Sequence, residues 1–157
     1  MDTAQADVER QVSILADRLE NMHLGHDWQD GRRVINPDGL TENCYFCTAA
    51  FLGGFRDVHE LVQRTETMQQ CRANLSEICA LFEAAGIHYT GHQTTTLLEA
   101  QALFNGRVGG LAYTRQDGSG HMVAFDHGLL IDTQSNTRGN FDTLLGEQAT
   151  MFWFFFV

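Results

Sequence analysis

Apolar residues in the first two thirds of the chain recur every three or four positions with polar residues between them, which is the period of amphipathic helices. The predicted helices cover 3–22, Asn43 to Gly53-Gly54, 56–65, 68–85 and 94–104, with a short extended piece over 87–90. Residues 23–42 are predicted to be loop because they contain several glycines and the only proline. Gly86 follows the fourth helix as a favoured residue for a helix C terminus.

From Asn105 onward the pattern changes to short apolar runs separated by turn residues, which is typical of strands. The predicted strands are VGGLAYTR, HMVAF, LLIDT and MFWFFFV, the last of which is interpreted as a buried terminal strand. The tripeptide DHG between HMVAF and LLIDT predicts a tight hairpin. Helices followed by strands predict an α+β fold, in which N-terminal helices pack on a C-terminal antiparallel sheet.

Length and charge narrow the range of functions. The chain has 157 residues and no internal repeat, which predicts one domain over 1–157, with an N-terminal helix and loop over 1–33 and a core over 34–157. The net charge of −10 argues against nucleic-acid binding, which needs clustered Lys and Arg. The polar, acidic N terminus is unlike a signal peptide, and no apolar run is long enough to span a bilayer. The protein is therefore expected to be made in the cytoplasm and not to insert into membranes.

The sequence ENCYFC, residues 42–47, places two cysteines three residues apart at the predicted start of a helix. Asn43 is a favoured N-cap residue, so Cys44 falls in the first turn, where free backbone N–H groups and the helix dipole favour a reactive thiolate. Cys47 lies one turn further in, beside apolar residues, and is interpreted as a small core residue. A structural thiol, a redox pair and a metal ligand remain alternatives for Cys44.

The redox and metal alternatives have less support in the sequence. A redox CxxC is expected after a strand, whereas the segment before Cys44 is a predicted loop. Further zinc ligands would have to come from His23, His26, His88 and His92. None of these has a cysteine partner at zinc-finger spacing, so no metal and no cofactor are expected. Cys71 and Cys79 fall on the apolar stripe of the predicted helix 68–85 and are interpreted as core residues.

A nucleophilic cysteine needs a base, and the base needs a group that orients it. His121 opens the predicted strand HMVAF and Asp132 closes LLIDT, so the hairpin between them brings both residues to the same end of the sheet. Asp132 can then accept a hydrogen bond from the imidazole and fix its tautomer. Gly118 and Gly120 leave room for a substrate backbone beside the histidine.

Taken in order, the motifs INPDG, ENCYFC, FLGG, GLAYTR and GSGHMVAFDHGLLIDTQ resemble the papain-like fold, and within it the glutamine-deamidase toxin branch, the papain-fold toxin domains. The likeness covers residues 34–136. It implies that Cys44 is the nucleophile, His121 the base and Asp132 the orienting residue of a catalytic triad. The segment from His121 to Asp132 is shorter than in many members of that branch.

The oxyanion hole is not supplied in the way that papain supplies it. No glutamine stands a few residues before Cys44. The candidates for oxyanion stabilisation and substrate positioning are the Cys44 backbone N–H, the side chains of Asn43 and Gln134, and Gly120 beside the histidine.

The triad chemistry is acyl transfer at an amide, and the resemblance implies that the amide is a glutamine side chain of a target protein. This is the activity of a bacterial effector or toxin, so the resemblance also implies delivery into a target cell by a dedicated system and an immunity or delivery protein as a partner. Two alternatives remain open. One is a cysteine protease or amidase, with a histidine strand that resembles the bacteriocin-processing peptidases, and the other is an inactive papain-like module that binds a partner.

Overall fold

A computed structural model describes residues 34–68 and 74–157, which form five α-helices and a six-stranded antiparallel sheet. This architecture confirms the predicted α+β class. The helices are α1 (Cys44–Leu52), α2 (Val58–Thr65), α3 (Leu75–Ala84), α4 (Leu97–Gly106) and α5 (Phe141–Gly146). The strands are β1 (Thr90–Thr94), β2 (Val108–Thr114), β3 (Gly120–Asp126), β4 (Leu129–Asp132), β5 (Thr137–Gly139) and β6 (Thr150–Phe156). The predicted helix 3–22, the first part of the loop 23–42, and Cys71 lie outside the described residues.

The first two helices begin close to their predicted positions. Helix α1 begins at Cys44 and ends before Gly53, as the sequence predicted. Helix α2 begins at Val58 rather than at 56, because the side chain of Asp57 caps it by accepting a hydrogen bond from the Glu60 N–H at 3.0 Å.

Helix α3 is shorter than the predicted helix 68–85. Helix α3 begins at Leu75 and not at 68, because Asn74 is its N-cap and accepts a hydrogen bond from the Glu77 N–H at 2.9 Å. Its other end agrees with the prediction, since Gly86 follows the helix with φ +75°, a left-handed conformation that glycine adopts without strain. The capping residue Asn74 therefore determines where α3 begins, although apolar residues at helical spacing also precede it in the sequence.

The strand order in the sheet is β1-β6-β2-β3-β4-β5, and all neighbours are antiparallel. The predicted hairpin joins β3 to β4. Asp126 pairs with Leu129, and the two turn residues, His127 and Gly128, have φ values of +46° and +91°, which is the pattern of a type I′ turn. The sequence interpretation missed β5 and α5, and it placed the extended piece near 87, whereas β1 begins at Thr90.

The sheet has an apolar core on each face. The core beneath α1, α2 and α3 contains Phe46, Cys47, Phe82, Met122, Ala124 and Phe155 among its buried residues. The opposite core contains Phe104, Leu111, Phe125, Phe141, Phe152 and Phe154. Alternate residues of β3 therefore face different cores, as the two-residue period of a strand requires. None of the described helices has the length and apolar content needed to cross a membrane.

Helix α1 lies directly against the middle of the sheet because β2 has a glycine there. A Cβ atom on Gly110 would lie 2.8 Å from Cε of Met122 and 3.4 Å from Cγ2 of Thr48, a residue of α1. The missing side chain thus lets α1 approach β2 and β3 closely. This contact fixes the height of α1 above the strand that begins with Gly120 and His121.

Candidate active site

Cys44 is the first residue of α1 and is half-buried, so its thiol stands at the positive end of the helix dipole. Asn43 is the N-cap residue, as predicted, but its side chain makes no capping hydrogen bond. Instead, Asn43 is buried, and its Nδ2 donates to Oδ1 of Asn36 at 3.2 Å. The start of α1 is capped by another residue.

That other residue is Gln134, which follows β4. The end of its carboxamide lies 2.9, 3.0 and 3.2 Å from the backbone nitrogens of Glu42, Asn43 and Cys44. With Oε1 turned toward them, one oxygen accepts from three consecutive N–H groups and lies 3.0 Å from one acceptor, Oδ1 of Asn43. The opposite orientation would give one bond from Nε2 to Oδ1 of Asn43 at 3.0 Å, and it would leave three donors facing an amide nitrogen. The balance of donors and acceptors favours the first orientation.

The predicted neighbours His121 and Asp132 are in direct contact. Nε2 of His121 and Oδ2 of Asp132 are 2.7 Å apart, and the two side chains are only 4% and 14% exposed. The second carboxylate oxygen, Oδ1, accepts from the backbone N–H groups of Gln134 at 3.2 Å and Ser135 at 3.3 Å. Asp132 therefore closes the turn after β4 with one oxygen and holds the imidazole with the other.

The ionisation of both groups is shifted toward a charged pair. Burial alone lowers the pKa of His121, but hydrogen bonds with Asp132 and Cys44 outweigh it and raise the pKa to about 9. Burial alone raises the pKa of Asp132, but the hydrogen bond and charge of His121, with a further contribution from Ser135, hold it below the ordinary 3.8. Both shifts favour the charged pair, an imidazolium beside a carboxylate.

The thiol of Cys44 lies within hydrogen-bonding reach of His121. Because Asp132 takes Nε2, the nitrogen left for the thiol is Nδ1. The three residues that the sequence singled out, on α1, β3 and β4, thus form a continuous Cys44–His121–Asp132 chain of contacts. Their catalytic roles remain a prediction.

Cys47 is more deeply buried than Cys44. Its side chain is completely buried, and burial, followed by the nearby Cys44 and Asp132, raises its pKa to about 12. It is therefore a neutral thiol at physiological pH, and it belongs to the core beneath α1. Cys79, which the sequence placed in the core, is half-buried and packs against the same cluster.

Two features of the site were not found by sequence reasoning. Asn36 is buried, and its Nδ2 donates to the backbone oxygens of Leu40 at 2.8 Å and Gln134 at 3.0 Å. The INPDG motif contains this residue, but nothing local in the sequence shows that its amide reaches the turn after β4. The partner position, Gln134, is far along the chain.

The second missed feature is an aromatic support for the imidazole. Tyr113 pairs with His121 across β2 and β3, and the two rings are perpendicular with centroids 5.8 Å apart. The Tyr113 hydroxyl donates to Oε2 of Glu147 at 3.0 Å, and this oxygen also accepts from Nε of Arg115 at 2.6 Å. Burial and the Glu147 carboxylate raise the pKa of Tyr113, so the hydroxyl keeps its proton.

The remaining predicted positions are Gly120 and the histidines considered as metal ligands. Gly120 precedes His121 at an exposed position, and a Cβ there would meet no atom within 4 Å. Within 34–68 and 74–157, no three His, Cys, Asp or Glu side chains are grouped so that they could hold a metal ion. His92 pairs with Glu99, and His23 and His26 lie outside the described ranges.

No protein-family model matches the chain, and a search of curated proteins returns no match.

Proposed function

We propose that the protein is a cysteine-dependent amide hydrolase with a papain-like fold, and that its substrate is a glutamine side chain of a target protein. The single observation that carries the proposal is the continuous contact from Cys44 through His121 to Asp132. A half-buried thiol at a helix N terminus, a base within reach and a carboxylate orienting that base form the arrangement that nucleophilic catalysis requires.

In the proposed reaction, His121 holds the proton of the Cys44 thiol and the thiolate attacks the carbonyl carbon of the amide. The dipole of α1 favours the negative charge of the oxyanion that forms beside Cys44. The N–H of Cys44 itself is occupied by the side-chain oxygen of Gln134 and is not a donor to the oxyanion. His121 then donates its proton to the departing nitrogen, which leaves as ammonia, and a thioester remains on the sulfur. His121 next takes a proton from water, the hydroxide attacks the thioester, and glutamate and free thiol are released.

The papain-like part of the proposal is supported by the way the elements are arranged. The nucleophile begins a helix that packs on an antiparallel sheet, and the base and its orienting residue lie on neighbouring strands of that sheet. The order of the motifs along the sequence resembles papain-fold toxin domains in the same respects. The choice of a glutamine side chain over a peptide bond is supported by that resemblance.

The experiment that tests the function compares target-cell proteins exposed to the wild type and to Cys44→Ala. Deamidation leaves polypeptides intact and converts particular glutamines to glutamate, which peptide mass spectrometry resolves as a small mass increase. Newly formed termini with no converted glutamine would overturn deamidation in favour of proteolysis. The absence of both changes from the wild-type sample, in the presence of a folded protein, would overturn hydrolysis of protein amides.

An inactive binding module is distinguished by a thiol-reactive amide probe. We expect the probe to label Cys44 much faster than Cys79. Cys79 is also half-buried, but the proposed mechanism assigns it no histidine base. Equal labelling of the two cysteines in the folded protein would favour the binding module.

Delivery into a target cell and a partner that neutralises the enzyme belong to the same proposal and rest on the resemblance.

A further inference from the structure

Gln134 is attached to the protein at three separate points around the candidate site. Its backbone N–H donates to Oδ1 of Asp132 at 3.2 Å, and its backbone oxygen accepts from Nδ2 of Asn36 at 3.0 Å. Its side-chain oxygen faces the N–H groups at the start of α1, including that of Cys44 at 3.2 Å. Main chain and side chain of one residue thus connect the strand that orients the base with the helix that carries the nucleophile.

The backbone before α1 is shaped to receive this oxygen. Glu42 has a left-handed φ of +65°, and Asn43 follows with φ −108° and ψ 26°. When two successive residues have φ angles of opposite sign, their consecutive N–H groups point toward a common position. The Gln134 oxygen occupies that point, and this explains why the Asn43 side chain does not cap the helix.

The contacts form a closed ring that includes all three residues of the candidate triad. Oδ2 of Asp132 holds His121, while Oδ1 of the same carboxylate holds the backbone of Gln134. Gln134 then holds the first N–H of α1, and the thiol of that same residue, Cys44, reaches back to His121. A change in the length of any one link changes the separation between sulfur and imidazole.

We infer that Gln134 is a positioning residue, which caps the nucleophile helix from the turn after β4 and thereby sets the distance between Cys44 and His121. This inference rests on the proposed function, because it assigns a purpose to that distance. A displacement of about 1 Å between reacting groups can cost on the order of 100-fold in rate. Removing the side chain therefore affects the reactivity of Cys44 through geometry, without removing any group that reacts.

The inference is tested by the rate at which iodoacetamide alkylates Cys44 as a function of pH, measured on the full chain by peptide mass spectrometry. Cys79 in the same sample is the internal reference. Gln134→Ala removes the acceptor, and we expect the neutral-pH rate at Cys44 to fall by about tenfold or more. Gln101→Ala is the matched control, because it removes the same side chain at an exposed position of α4, the helix that packs on the opposite face of the sheet.

Gln134→Glu separates positioning from a general loss of stability. Glutamate keeps an oxygen that accepts from the three N–H groups, so the fold and its melting temperature are retained. Its negative charge beside the thiolate disfavours the ion pair, so the midpoint of the alkylation profile moves to higher pH. A residue that only stabilised the fold would lower the melting temperature in Gln134→Ala and leave the alkylation rate of Cys44 in the folded protein unchanged.

The outcomes separate failure of this inference from failure of the function. A wild-type Cys44 that reacts like Cys79 at every pH overturns the nucleophile assignment, and the inference with it. A wild-type Cys44 that is reactive at neutral pH, with Gln134→Ala equal to it or faster, overturns the inference alone. In the faster case, Gln134 would be shielding Cys44.

Discussion

His121 is a buried base whose environment favours its charged form. Its pKa is raised from the ordinary 6.5 to about 9, so the folded state binds a proton that the unfolded state releases earlier. Its contribution to stability is therefore complete below pH 6.5 and is lost as the pH rises through about 9. The Asp132 contribution has the opposite sign: it is present above pH 3.8 and is lost as the pH falls through the lower folded value.

The first prediction concerns this alkaline loss. The melting temperature of the wild type should decline between pH 6.5 and about 9, and it should decline less in His121→Gln, which has no group to titrate there. Calorimetry over that interval measures both slopes. Parallel slopes for the two proteins would show that other groups govern the alkaline instability.

The second prediction concerns the two cysteines of α1. Cys44→Ala and Cys44→Ser should abolish turnover with an unchanged melting temperature, because the side chain is half-buried and its proposed role is chemical. Cys47→Ala should retain most of the turnover and lose roughly 1 kcal/mol of stability, because it leaves a small cavity in a completely buried position. Turnover and thermal unfolding are measured on all three variants. An active Cys44→Ala beside an inactive Cys47→Ala would reverse the assignment.

The third prediction concerns the double use of the Asp132 carboxylate. Asp132→Ala removes both the imidazole bond and the bonds that close the turn, so turnover should fall strongly. Asp132→Asn keeps one acceptor oxygen and should be less harmful. Since it lacks the negative charge, it should also move the alkaline limit of turnover below the wild-type value near pH 9.

The measurement is turnover against pH for the wild type and both Asp132 variants, with substrate binding determined separately. Binding should change little, because Asp132 contacts the histidine and the turn. Wild-type turnover in Asp132→Ala would leave a Cys44–His121 pair without an orienting carboxylate.

At the scale of elements, the close approach of α1 to the sheet determines where Cys44 lies. The fourth prediction tests this approach with Gly110→Val, whose side chain would enter the space between β2, Met122 and Thr48. Overpacking of this kind costs about 1–3 kcal/mol, and the outward shift of α1 should also lower turnover. Unfolding and turnover are compared with Gly91→Val, a strand position on β1 where an added Cβ meets nothing within 4 Å. Equal effects of the two substitutions would contradict the close-approach argument.

Elements with a local cause were predictable from the sequence, and elements set by distant contacts were not. The β3–β4 hairpin followed from DHG, and the end of α1 followed from Gly53, because turn and capping chemistry depend on neighbouring residues. The same hairpin predicted the meeting of His121 with Asp132. The capping of α1 by Gln134 was not predictable, because Asn43 is a favourable N-cap by residue type and only the tertiary fold turns its side chain toward Asn36.

The short elements β5 and α5 escaped the sequence analysis for a different reason. Each spans too few residues for a period to be visible, and both lie in the polar segment after β4. Helix α5 depends on its cap: Oδ1 of Asn140 accepts from the Asp142 N–H at 2.9 Å, and Thr143 reaches back to the Asn140 backbone.

At the scale of the whole molecule, the proposed chemistry uses only groups of the protein itself. The fifth prediction is that turnover survives prolonged treatment with a chelator, because no step in the proposed reaction uses an ion. Metal content of the purified protein and activity before and after chelation are measured together. Stoichiometric zinc that is lost together with activity would contradict the triad and would favour a role for cysteine and histidine as ligands.

The position of β6 has a consequence for how the protein folds during its synthesis on the ribosome. Of the described strands it is synthesised last, yet it lies between β1 and β2 and contributes Phe155 to the core beneath α1. Every residue of the candidate triad has therefore left the exit tunnel before the sheet can close and before the support of α1 is complete. We expect Cys44 to have no fixed position in the nascent chain until β6 is released, so that the candidate site is assembled only after all of its residues have left the tunnel.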